Sequence, residues 1–229
     1  MSLEPLESPE APRLRDASFS HVFSQALRGH PCSVVGLDEE PQPLPMGEWT
    51  RDADDDDLAL LALCEGPTID VGCGPGRLSA RLAELGHVVL GVDVVHEAVL
   101  QTRARGVSAI VRNVFDALPG EGRWRTALLA DGNIGIGGDP VALLARAREL
   151  LDPRGRVVVE LAAPEVGFRS SWAQLHCGDA RSRPFRWSVV GADSIHEVAA
   201  EAGLAVTGAH VIGPAGGAQR YCAVLEEPA

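Results

Sequence analysis

From Pro67 onward the chain alternates short apolar runs with amphipathic stretches, and this alternation constrains the fold more than any other feature of the sequence. Runs at 68–71, 88–92, 109–111, 126–130 and 157–161 have the length and content of buried strands, with helical patterns at 76–85, 96–105 and 140–151. Strands joined through helices run parallel, because a parallel pair needs a long crossover. A helix at 193–202 then precedes two last runs, 205–212 and 221–225, separated only by the glycine-containing stretch 213–219. Those two are expected to pair antiparallel as a hairpin.

The part before Pro67 reads differently. Residues 1–15 mix prolines with glutamates and offer little to bury, which predicts a flexible arm. Residues 16–66 read as a helical lid and lead-in: Phe19, Val22, Phe23, Ala26 and Leu27 recur at helical spacing, with Asp16 or Ser18 as N-cap and Pro31 as stop. A second helix runs through Leu58, Leu60, Leu61 and Leu63, after Trp49. Asp52 and Asp54–Asp57 lack a facing acidic cluster, so they read as acids complementing a helix dipole, with no metal expected.

Composition removes several chemistries. All 20 basic residues are arginine, which excludes a lysine Schiff base and a phosphate-loop lysine. A net charge of -12 argues against a nucleic-acid partner. No run approaches the roughly 20 apolar residues of a membrane span, so neither a membrane partner nor a location outside the cytoplasm is expected. Cys32, Cys64, Cys73, Cys177 and Cys222 show no paired spacing, which favours a reduced compartment.

The densest signal is Asp70-Val71-Gly72-Cys73-Gly74-Pro75-Gly76, where the first strand turns into a helix. Glycines there let a ligand reach the backbone, and free amides at the helix start favour a negative group. About 20 residues on, the next strand ends in Asp93, from where a carboxylate accepts hydrogen bonds from both hydroxyls of a ribose. An adenosine-containing cofactor fits this arrangement. A dinucleotide is disfavoured, because Arg77 stands where the GxGxxG pattern needs its third glycine. Asp70 would repel a pyrophosphate and attract an ammonium, so a cofactor with an amino-acid tail fits better.

At these residues the sequence resembles the class I S-adenosylmethionine-dependent methyltransferases, from about Trp49 to the C-terminus. Asp70 to Gly76 looks like the family's first motif, and Gly91-Val92-Asp93 like its ribose-binding second. Asn113 to Asp116 resembles the adenine-binding segment, Asp131 the fourth-strand acid, and Leu151-Asp152-Pro153-Arg154-Gly155-Arg156 the turn into the fifth strand. The resemblance implies an α/β fold with a Rossmann-like seven-stranded mixed sheet, parallel except for an antiparallel last strand. It implies that 67–229 form an S-adenosylmethionine-binding methyltransferase domain. By position, Asp70 would orient the methionine ammonium through its backbone or a water. Gly72 and Gly74 would line the methionine portion, with small Cys73 beside them. Asp93 would hold the ribose and Val94 would pack on the adenine. Asn113 and Val114 would meet the adenine edge, with Asp131 and Asn133 completing the site. Asn113 departs from the acid usual in that segment.

The acceptor side is less defined. The glycine-rich run from Asp131 to Pro140 lies at the carboxyl edge of the sheet, where open α/β folds bind ligands, while Asp139 before Pro140 reads as a helix cap. The connection 162–191 is expected as a long loop. It carries Trp172, Phe185, Trp187 and the arginines Arg169, Arg181, Arg183 and Arg186, which favour an anionic small-molecule acceptor. Methyl transfer from a sulfonium needs mainly alignment. Where a base is required, His176 is the best-placed catalytic candidate, ahead of His30 and His21. The alternatives are a non-catalytic S-adenosylmethionine-binding regulator or scaffold and, less favoured, a nicotinamide-dependent oxidoreductase.

Overall fold

The computed structural model describes residues 16–214 and 217–228. The chain first forms β1 (Asp16–Ala17), α1 (Phe19–Leu27), β2 (Cys32–Val35), β3 (Gln42–Pro43), α2 (Met46–Thr50) and α3 (Asp55–Leu61). It continues through β4 (Thr68–Val71), α4 (Arg77–Glu84), β5 (Val89–Asp93), α5 (His96–Ala104), β6 (Ala109–Val111), β7 (Trp124–Leu129), α6 (Pro140–Leu150) and β8 (Leu151–Leu161). The remainder is β9 (Phe168–Cys177), β10 (Ala180–Ser182), β11 (Phe185–Val190), α7 (Ile195–Glu201), β12 (Ala205–Ile212) and β13 (Arg220–Glu226). The arm expected at 1–15 lies outside the described residues.

The larger sheet has the order β12-β13-β8-β7-β4-β5-β6. Strands β4 to β8 are parallel, and β13 inserts antiparallel between β8 and β12. This is the seven-stranded architecture expected. Both faces are covered, which explains why β4 is buried at every residue. Ala127, Leu129, Val157 and Val159 pack on α6 and α7 through Leu143, Leu144 and Val198, while Leu128 and Val158 pack on α3 and α4 through Leu60, Leu78 and Leu82. One boundary moves: β8 begins at Leu151, because Trp124 pairs with Leu151 before Thr126 pairs with Arg156, leaving Asp152 to Gly155 bulged out.

The connection 162–191 is corrected by the structure: it is mostly strand. The long β9 pairs antiparallel with β11 along its first half, from Phe168↔Val190 to Ala173↔Phe185, and with β10 and β2 along its second. Ala173, Leu175 and Cys177 alternate inward, a period of two that is visible in Trp172-Ala173-Gln174-Leu175-His176-Cys177 but diluted by polar neighbours. The N-terminal segment completes this second sheet, since β2 also pairs with β3 and β1 runs beside β10.

The cysteine expectation is corrected too. Cys32 and Cys177 stand opposite each other in the β2–β9 register, with Cα atoms 4.2 Å apart, and form a disulfide. Cys64, Cys73 and Cys222 are buried free thiols. Spacing along the chain carried no sign of this pair, because its partners are 145 residues apart.

Helix α1 ties the small sheet to the large domain. Ser18 caps it by accepting from the His21 amide. Val22 and Ala26 pack on Leu175 and the disulfide, whereas Leu27 packs on Val95 and Ala98 of the large domain. Ser20 Oγ also donates to the Val94 carbonyl at 3.1 Å. Among the described residues no helix is long and apolar enough to cross a membrane.

Candidate active site

At the carboxyl ends of β4, β5 and β7 the two sheets enclose a cavity of about 410 Å³. Every residue given a cofactor role above lines it, and His176 does not. Local chemistry explains the glycine loop. Gly72, Gly74 and Gly76 take φ of +75°, +53° and +85°, a region that side chains disfavour. A Cβ on Gly76 would stand 2.7 Å from Thr102 Oγ1, and one on Gly72 would meet the Asn133 amide at 2.7 Å. A Cβ on Gly74 would meet nothing within 4 Å, so this glycine opens onto the cavity.

Polar side chains hold the loop in place. Asn133 Nδ2 donates to the Val71 and Gly72 carbonyls at 3.0 Å, and Thr102 Oγ1 donates to the Gly74 carbonyl at 2.8 Å. Asp93 Oδ2 accepts from the Gly74 amide at 3.0 Å and Oδ1 from the Val95 amide at 2.8 Å. Each of its oxygens keeps a lone pair for a further donor. Cys73 packs under Gly91, and burial pushes its thiol well above the ordinary range, which leaves it inert.

Asp70 is buried at the floor of the cavity, accepting from Ser79 Oγ at 2.5 Å. Burial pushes its carboxyl up to about 7, reinforced by the nearby Asp131 and Asp93 charges and opposed by the Ser79 hydrogen bond. Val94 and Phe115 present exposed apolar surface at the rim, near Asn113, whose Oδ1 accepts from the Phe115 amide at 3.1 Å.

A network of buried charges that sequence reasoning missed lies beside the loop. Arg77 Nη2 donates to both oxygens of Asp131 at 2.8 Å, and its Nη1 donates to Asp57 Oδ1. Arg220 joins Asp57 to Glu160, and Glu160 accepts the Asp131 amide at 2.8 Å. Asp131 itself has φ of +51°, a position this network fixes. The Asp54 cap and its reciprocal bond with Asp57 follow the reading of the acidic run, but the burial of Asp57 does not. Besides the nearby Arg51, its arginine partners come from the start of α4 and from β13, a meeting that no local signal marks.

The second sheet and α1 close the cavity from above. Phe19 and Phe23 of α1, Trp49 of α2, and Phe185 and Trp187 of β11 form its wall. The glycine-rich run explains how β11 comes so close: a Cβ on Gly135 would stand 2.5 Å from Trp187 Nε1 and would collide with the Ser188 carbonyl oxygen. Asp139 caps α6 by accepting from the Ala142 amide at 2.9 Å, as read from the sequence. His176 lies on β9 opposite Ser33 and Arg181, with a buried Nε2 that has no partner among the described residues. Burial, then Arg181, lowers its pKa.

The sequence matches the family described as a methyltransferase domain over residues 56–208. The chain belongs to this family. The chain is 34% identical over 110 residues to a ubiquinone biosynthesis O-methyltransferase of Cereibacter sphaeroides, a match covering 45% of this chain and spanning 44% of that relative's length. Its fold resembles a SAM-dependent methyltransferase from Bacteroides fragilis, solved in complex with S-adenosyl-L-homocysteine. That likeness has a TM-score of 0.74 at 20% identity over 92% of this chain and 94% of the other. It also resembles Burkholderia thailandensis 1,6-didemethyltoxoflavin-N1-methyltransferase, with a TM-score of 0.57 at 21% identity over 80% and 81% of the chains.

Proposed function

We propose that this methyltransferase binds S-adenosylmethionine in the cavity and transfers its methyl group to a small-molecule acceptor. The observation that carries this is Asp93, which lines the cavity with Oδ2 held by the Gly74 amide and Oδ1 by the Val95 amide, and with Gly74 open beside it. Asp93 would accept the ribose hydroxyls, Val94 with Asn113 and Val114 would hold the adenine, and Gly72, Cys73 and Gly74 would line the methionine. When bound, the sulfonium supplies an already activated methyl group. Bound there, it would leave this chain's residues only to align an acceptor lone pair with the methyl carbon, the carbon–sulfur pair returning to sulfur and any acceptor proton passing to water. Alignment supplies most of the acceleration in such a step. His176 receives no role here, being outside the cavity lining.

An anionic acceptor is favoured by Arg112 and Arg186, which line the cavity, whereas Arg169 is engaged with Asp38 at 2.8 Å.

Calorimetric titration with S-adenosylmethionine, S-adenosylhomocysteine and a nicotinamide dinucleotide tests the reading. The first two are expected to bind, and binding of the dinucleotide alone would overturn it. Asp93→Ala is expected to weaken S-adenosylhomocysteine binding by about 1–3 kcal/mol, the scale of lost hydrogen bonds to a charged group. An unchanged affinity would remove Asp93 from the site.

The pH dependence follows from Asp70. A cofactor ammonium favours its ionised form, so below about pH 7 binding must displace a proton from the carboxyl. Affinity is expected to fall as pH drops from 8 to 6, by up to about tenfold per unit below 7. For the stability of the free protein the sign is opposite. The folded pKa lies above the unfolded one, so the Asp70 contribution present below about pH 4 is lost as pH rises to about 7. A pH-independent affinity would separate Asp70 from the ammonium.

A further inference from the structure

We infer that the acceptor is a flat, conjugated ring compound, received on the aromatic wall between α1 and β11; this rests on the methyltransferase reading of the same cavity. The chain holds only five Phe, four Trp and one Tyr, yet Phe19, Phe23, Trp49, Phe115, Phe185 and Trp187 all line this one cavity. Its core is built otherwise: the largest fully buried side chains are all leucine or isoleucine. None of the six aromatic residues is fully buried: Phe19, Phe23 and Phe185 rest on the core around Val22 and Leu175 and still line the cavity.

The rings form a continuous surface. Centroids lie 5.9 Å apart for Trp49 and Phe23, 5.4 Å for Phe23 and Phe19, 4.9 Å for Phe19 and Phe185, and 6.3 Å for Phe185 and Trp187. The pairings include edge-to-face contacts, which leave faces and edges to meet a further ring in the offset or T-shaped geometry that aromatic pairs prefer. An aliphatic acceptor would be served equally well by the leucines and valines that fill the rest of the molecule, and it gains nothing from ring quadrupoles. The indole N–H groups of Trp49 and Trp187 donate to no acceptor among the described residues, and Asp131, which also lines the cavity, is engaged by Arg77. Arg186, its guanidinium 5.5 Å from the Trp172 ring centroid, places positive charge at the edge of the wall. A conjugated ring bearing an oxygen or nitrogen nucleophile matches this lining in shape and polarity.

The test uses the wild-type protein saturated with S-adenosylhomocysteine. Hydroxy-, amino- and carboxy-substituted benzenes, naphthalenes and quinolines are each titrated beside the saturated-ring counterpart, following the fluorescence of Trp49 and Trp187. The aromatic member of the binding pairs is expected to bind about tenfold more tightly, and members of that set to be methylated when S-adenosylmethionine is supplied. Equal binding of the saturated members, or no binding by any ring compound, would overturn the inference while leaving the methyltransferase reading intact. Failure to bind S-adenosylhomocysteine would overturn both. Trp187→Leu and Phe185→Leu keep an apolar wall and remove a flat face, so at least one is expected to cut the aromatic preference about fivefold. Full preference in both variants would equally overturn it.

Discussion

Replacing Asp57 with alanine is expected to destabilise the protein by about 3–5 kcal/mol, because it removes the buried carboxylate on which three arginines converge. Asp57 is fully buried, and its Oδ1 accepts from Arg77 and Arg220 while Oδ2 accepts from Arg51 at 2.7 Å. Without it, Arg51, Arg77 and Arg220 lose the carboxylate they share and keep only Asp54, Asp131 and Glu160 at the periphery, while Arg77 is itself only 4% exposed. The α3 cap also loses its reciprocal hydrogen bond. For a chain of this size the loss corresponds to a fall in melting temperature of roughly 6–20 °C.

The pH dependence gives this prediction a second readout. Burial alone would raise the Asp57 pKa, but hydrogen bonds from Arg77 and Arg220 hold it well below the usual carboxylate range. Its contribution is therefore present above the unfolded value near pH 4 and lost as pH falls towards the folded one. Urea unfolding of wild type and variant should show the full gap at pH 7 and a narrowing gap below about pH 4. A difference under about 1 kcal/mol at pH 7 would show that Glu160 and Asp131 neutralise the arginines without Asp57.

The second large effect is expected at Gly135, and it falls on the acceptor step. Gly135→Val places a branched side chain where the backbone of β11 already runs, 2.5 Å from Trp187 Nε1 at the Cβ alone. Neither the Ser188 carbonyl nor the indole can step aside independently, since β11 is tied to β9 over six paired positions. The strand must move as a body, carrying Phe185 and Trp187 with it. Overpacking of this kind costs about 1–3 kcal/mol of stability, and a displacement near 1 Å lowers turnover by about a hundredfold. The glycine loop is also held by Asp93 and Thr102 on other elements, so S-adenosylhomocysteine affinity should change less than threefold. Turnover close to wild type would show that β11 does not set the acceptor geometry.

These two residues also mark how far the sequence could be read. Gly135 stands in a run whose glycines were legible as turn or ligand-approach positions, but what approaches is a strand about fifty residues further along. Asp57 was legible as a helix-start acid, and its capping role is local enough to follow from Asp54 and the spacing between them. Arg51 is a near neighbour in the chain, but Arg77 and Arg220 lie 20 and 163 residues away, and no local pattern announces such a meeting. The glycine loop and Asp93 were legible for the opposite reason. A strand, a tight turn and a helix are adjacent in the chain, and a carboxylate at the end of the next parallel strand has its position fixed by the sheet itself.

The sequence by itself determined the seven-stranded sheet, its antiparallel last strand and the glycine loop at its carboxyl edge, because each depends on short-range periodicity and on glycines in left-handed turns. Only the tertiary structure decided the rest. The second sheet joins β2 to β9 across most of the chain, links Cys32 to Cys177, and brings α1 and β11 together as one aromatic wall. Pairings of that kind depend on which edges remain unpaired once the large sheet has formed, and that is a property of the assembled chain rather than of any window within it.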